Sequence, residues 1–325
     1  MPKSSKLEET LELLGTVRND PTSEAAIATL RQVIKSRYSI AVAQAARIVG
    51  DAEIYSLVPD LIATFDQFMV KPVETDANCH AKFRIAETLY RLNYGEEHLF
   101  LRGIRHVQME PVWGGRQDTA VNLRGICALG LVGMNYPDVM VELADLLADS
   151  EPPARVAAAR AIAYSENTQG VPLLRLKVRI GDKEPQVLSE CFAALLKLAP
   201  SQSVSLIAGF LASPEEQIQE IAALALGESR LREAFEILQR WWERTNQAEL
   251  RRAGLLAIAL LRYEDALEFL LALIAEGRSR DAKDAIAALS IYQQDEILWQ
   301  KVCKSVEERG EAGLQQALKE LRKEG

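Results

Sequence analysis

The chain has 325 residues, 48% of them hydrophobic and 26% charged, which is apolar enough to bury a core and too apolar for a disordered segment. A formal net charge of -8 and a pI near 5.2 exclude a general nucleic-acid binder, which needs a dense basic face to displace counterions from phosphates. The four cysteines, Cys79, Cys127, Cys191 and Cys303, form no CxxC pair, which excludes a zinc-ligand spacing and a dense disulfide framework.

In chain order, residues 1–37 read as capping helices. The opening stretch MPKSSKLEETLELL has no apolar leader core, and the longest apolar runs, near 255–261 and 269–275, fall far short of the roughly 20 residues a membrane span needs. A soluble, cytoplasmic protein with reduced thiols is expected.

A repeated pattern then takes over. A weak copy runs from Ala41 to Ile48, and Lys82 is followed at +3, +4, +6 and +7 by Ile85, Ala86, Thr88 and Leu89. The same offsets recur from Asn122, Arg155, Leu188, Gln219, Arg251 and Ala282. The last position of each copy falls at 48, 89, 129, 162, 195, 226, 258 and 289, in steps of 41, 40, 33, 33, 31, 32 and 31. Offsets of three, four and seven share one helical face, and the small residues let a neighbouring helix come close. A second amphipathic segment follows each regular copy: VMVELADLLAD, VPLLRLKVRI, SVSLIAGFLA, EAFEILQRWWER and ALEFLLALIA. Each unit is therefore a helical hairpin that must stack on its neighbours to bury its apolar face. Punctuation agrees, as in Ser213-Pro214-Glu215-Glu216, with a capping Ser and Pro at the first helical position. No strand alternation of useful length is present, so the expectation is all-α throughout. A helix over 311–323 would close the far end.

The two long steps carry extra sequence, one piece at 69–78 (MVKPVETDAN) and one at 106–118 (HVQMEPVWGGRQD). Pro111, Gly114 and Gly115 forbid a helix in the second, which is expected to be a surface loop. It carries Gln108, Glu110, Trp113, Arg116 and Asp118, and an exposed Trp beside Arg is a common interface anchor. Two roles fit. The loop binds a partner, or Trp113 folds back over the repeat junction while Asp118 caps the helix ahead of Ala120. With Lys82 and Arg124 from the flanking helices, these residues form the candidate binding set.

Other chemistry is not supported. His80, His98 and His106 lie close in sequence, but no H-x-x-x-H or H-E-x-x-H spacing stacks two ligands on one helical turn. No phosphate loop and no GxSxG occur, and no metal, cofactor or catalytic set is expected. Trp241 and Trp242 are expected to pack in or near the core.

The Arg-x-x-Ala-Ala-x-Ala-Ile form at Arg155–Ile162, on a step of 31 to 33, resembles HEAT repeats. It is similar to the short repeats of phycobilisome lyase subunits. The resemblance implies a right-handed α-solenoid of about eight or nine hairpins as a single domain over 1–325, with long-step repeats at 38–132, regular repeats at 133–300 and caps at 1–37 and 301–325. It implies a scaffold or adaptor that binds a protein partner through its concave face and the 106–118 loop. The alternative it implies is a chromophore lyase subunit or lyase-like chaperone. HEAT-repeat di-iron hydroxylases hold metals with His-Glu dipeptides, and this sequence has none.

Overall fold

The computed structural model describes residues 2–324, with side chains for 7–321. The protein is an all-α solenoid of helical hairpins, interrupted by one short β-hairpin. It divides into two compact units, Met1–Gly170 and Val171–Gly325.

In the first unit the helices are α1 (Pro2–Val17), α2 (Glu24–Ile34), α3 (Ser39–Asp51), α4 (Val58–Met69), the single turn α5 (Pro72–Thr75), α6 (His80–Arg91) and α7 (Glu97–Ile104). Strands β1 (Met109–Val112) and β2 (Gly115–Asp118) follow, then α8 (Val121–Gly133), α9 (Val139–Leu147) and α10 (Pro152–Tyr164). Helices α3, α6, α8 and α10 pack side by side in that order as one row, and α7 and α9 back the row.

The second unit holds α11 (Val171–Ile180), α12 (Pro185–Leu198), α13 (Pro200–Ala208), α14 (Glu216–Glu228), α15 (Arg232–Arg244), α16 (Ala248–Leu260), α17 (Glu264–Glu276), α18 (Ser279–Leu289), α19 (Glu296–Arg309) and α20 (Ala312–Glu324). Its row is α12, α14, α16, α18 and α20. Gly227 sets how close α14 and α16 come, because a Cβ there would stand 2.2 Å from the Ala257 carbonyl oxygen. Trp242 is buried, while half-buried Trp241 donates its indole N–H to the Leu211 carbonyl at 3.0 Å.

The repeat pattern maps onto the buried face of each row helix. In α10 Ala158, Ala159, Ala161 and Ile162 are all buried, and the same holds for Ile85, Ala86, Thr88 and Leu89 in α6. Two copies are shifted from expectation. In α8 the buried set is Cys127, Ala128, Gly130 and Leu131, so the copy starts at Arg124 rather than Asn122. In α3 it is Ala45, Ala46, Ile48 and Val49, so the copy starts at Val42 rather than Ala41. Both helices contain two overlapping strings of small and apolar residues, and packing selects one. In α8 the selected string begins with a buried arginine, as the copies in α10 and α16 begin with Arg155 and Arg251.

Two further expectations change. Residues 109–118 pair as an antiparallel hairpin, Met109 with Asp118 through Val112 with Gly115, rather than forming an irregular loop in an all-helical chain. The start of α14 lies at Glu216, two residues beyond the position that would make Ser213 its cap, although the Ser213 hydroxyl still accepts from the Glu215 amide at 3.2 Å. Of the four cysteines, Cys79 stands just ahead of α6 in a left-handed conformation (φ 55°) and Cys303 is half-exposed; only Cys127 and Cys191 are buried helical thiols.

Candidate functional site

Asp76 is the first element of the site. Its carboxylate accepts from the amides of Ala81 and Lys82 at 2.9 and 3.0 Å, so it serves the first turn of α6. The Lys82 ammonium returns to the same carboxylate at 3.0 Å, and neither side chain reaches solvent. The ammonium also donates to the Phe68 carbonyl at 3.5 Å, and such contacts offset part of the hydration that a buried ion pair loses.

Asp118 repeats the arrangement one row helix later. It accepts from the Ala120 amide at 2.9 Å, the Gln108 amide at 3.0 Å and the Arg124 guanidinium at 2.7 Å. Arg124 also donates to the His106 carbonyl at 2.9 Å and to Asp149 at 3.1 Å, which ties α8 to the start of the next repeat. Its Nε faces the second Asp149 oxygen at 2.9 Å as an ion-pair contact without an aligned hydrogen bond. Asp149 continues the series, its carbonyl accepting from Arg155 at 2.9 Å.

Gln108 and Glu110 bridge these two stations. The Gln108 amide group donates to the Asp76 carbonyl at 2.8 Å and to Glu110 at 2.6 Å. Glu110 also accepts from the Asn78 amide and the Thr119 hydroxyl, each at 2.7 Å. The insertion at 69–78 and the hairpin are thus fastened to each other as well as to the row. Burial pushes the Glu110 carboxyl up, but Thr119, Gln108, the Asn78 amide and the Lys82 charge outweigh it and hold it below the usual range. Asp118 behaves alike: burial raises it, while the Ala120 and Gln108 amides and Arg124 bring it lower overall. His106 is pushed down by burial, with the Lys82 and Arg124 charges acting the same way. The Cys79 thiol is pushed up to about 12, chiefly by burial, and stays protonated at neutral pH.

Lys82, Gln108, Glu110, Asp118 and Arg124 therefore meet in one buried, hydrogen-bonded network. Trp113 and Arg116 do not join it. Trp113 stands fully exposed in the turn between the strands, beside Gly114 at φ 90°. Arg116 is exposed and donates to the Met109 carbonyl at 3.0 Å. Val107, Met109 and Val112 are exposed around them. Asp118 caps the chain ahead of α8 as expected for a packing role, but Trp113 does not fold back over the junction.

Asp76, Asn78, Thr119 and Asp149 were not among the candidate residues. A signal for the aspartates exists in the sequence: an acid six residues before the first position of a copy, as in Asp76/Lys82, Asp118/Arg124 and Asp149/Arg155. Among the described residues, no three His, Cys, Asp or Glu side chains converge as metal ligands. No described helix is long and apolar enough to cross a membrane.

Residues 203–290 match the HEAT-repeat family. That segment carries HEAT repeats. No curated protein matches it. Among solved structures, a chain of the complex of CpcE and CpcF of phycocyanin lyase from Nostoc sp. PCC7120 aligns at 18% identity, over 70% of this chain and 89% of that chain, with a TM-score of 0.38. The family match lies among the regular repeats, and the buried network and hairpin lie outside it.

Proposed function

We propose that this HEAT-repeat protein is a non-enzymatic scaffold that binds a protein partner, with the hairpin tip as an anchor point and Trp113 and Arg116 as its contact residues. One observation carries the reading. A hairpin held at its base by a buried hydrogen-bonded network presents a tryptophan entirely to solvent. Exposing an indole forgoes about 2 kcal/mol of apolar burial that folding back would recover. A rigid base beneath an exposed aromatic lowers the ordering cost of binding, as a preorganised anchor does. Within the network Glu110 and Asp118 are held below the usual carboxylate range and the Cys79 thiol is pushed up to about 12, so none of these three is poised for proton transfer at neutral pH.

The test compares affinity capture by the wild type with capture by the Trp113→Ala, Arg116→Ala double variant, read by quantitative mass spectrometry. The expected result is a specific partner depleted at least about 30-fold with an unchanged thermal melt. Equal recovery of every captured protein overturns the assignment of the tip, and a lowered melt places Trp113 in packing instead.

A further inference from the structure

A cavity of about 230 Å³ lies between the C-terminal ends of α6 and α8, lined by Tyr90, Asn93, Tyr94, Gly130, Gly133 and Met134. Two features favour positive charge there. Tyrosine rings carry electron-rich faces that attract cations. At the rim, the Tyr94 hydroxyl donates to the exposed Glu96 carboxylate at 3.0 Å.

The corresponding place in the second unit shows that this lining is not a general product of the repeat. There, between the ends of α12 and α14, a cavity is lined by Ala193, Leu196, Lys197, Ala225, Glu228 and Ser229. It holds a lysine and no aromatic ring.

We infer that the Tyr90–Tyr94 cavity receives a cationic side chain, an arginine or a lysine, from a basic segment of a protein partner. The net charge of -8 on the whole chain complements such a segment. The cavity shares no residue with the hairpin, so its failure leaves the hairpin assignment standing.

The probe is a fluorescein-labelled peptide of alternating glycine and arginine, with the same peptide carrying neutral citrulline as control. Binding is read by fluorescence anisotropy at physiological salt. Gly133→Leu is the blocking variant, because a Cβ there stands 3.5 Å from Tyr90 Cε2, an ordinary contact, and the longer side chain enters the cavity. Saturable binding of the arginine peptide alone, weakened about tenfold by Gly133→Leu with an unchanged melt, is expected. Glu96→Gln, at an exposed position, is expected to weaken it about threefold and serves as the deciding variant if Gly133→Leu lowers the melt. Equal binding of the citrulline peptide overturns the inference. So do absence of saturable binding to the wild type and wild-type affinity in the deciding variant, the latter leaving only general attraction to an acidic surface.

Discussion

Arg124 shows how a single residue fixes the register of a helix. Its side chain is buried, yet its charge is matched by Asp118 on one side and Asp149 on the other. Removing one partner from such an arrangement strands the remaining charges away from water, which costs several kcal/mol. Arg124→Ala is therefore expected to destabilise the protein by about 3 to 5 kcal/mol in urea unfolding. Acid sensitivity follows from the same network. Glu110 and Asp118 have folded values below their unfolded ones, so their stabilisation is complete above the ordinary carboxylate range of about 4. It is lost as pH falls through their depressed folded values. His106 adds to the slope at higher pH: its folded value is depressed, so its contribution is complete above about 6.5 and declines as pH falls below that. Glu110→Gln keeps the shape and removes one titrating group, so stability plotted against pH below about 5 should fall less steeply than in the wild type. An unchanged slope would show that Glu110 is not ionised within the network. The aspartates of this network were legible in principle, through the six-residue spacing to a following cation. Asn78 and Thr119 were not, because their partners lie up to 32 residues away along the chain and only the fold brings them together.

At the level of elements, the hairpin is the feature that pattern reading misjudged. Pro111, Gly114 and Gly115 rightly excluded a helix, but the strands are four residues each and mostly exposed, so they carry no apolar alternation. Their pairing is held by the base rather than by a hydrophobic face. Gly114 occupies a left-handed conformation with open space around it, so the cost of substitution is conformational alone. Gly114→Ala is expected to cost about 1 kcal/mol and to perturb the tip more than the global melt, visible as faster amide exchange confined to the hairpin. Helix packing makes the opposite demand at Gly227, where a Cβ collides with backbone that cannot swing aside. Gly227→Ala should cost about 3 kcal/mol by forcing α14 from α16, despite the better helix propensity of alanine. A stabilised variant in thermal melting would contradict that close approach.

For the whole molecule, a solenoid's stability is a sum over repeats and their nearest neighbours. We propose that the two compact units unfold as one domain. Trp241, Trp242 and Trp299 all lie in the second unit, whereas circular dichroism reports helices of both units. Coincident urea transitions by tryptophan fluorescence and by circular dichroism are expected, and two separated transitions would mark the units as independent domains. What the sequence determined by itself was the repeat: small and apolar residues at offsets of three, four, six and seven specify one buried helical face, and that information is local. It also located the two insertions, because they lengthen the step. The tertiary structure alone decided which overlapping string of α8 turns inward, that the two insertions fasten to each other, and that Trp113 faces solvent. Each of those outcomes depends on matching charges and hydrogen bonds between segments distant in sequence, and no local pattern encodes such a match.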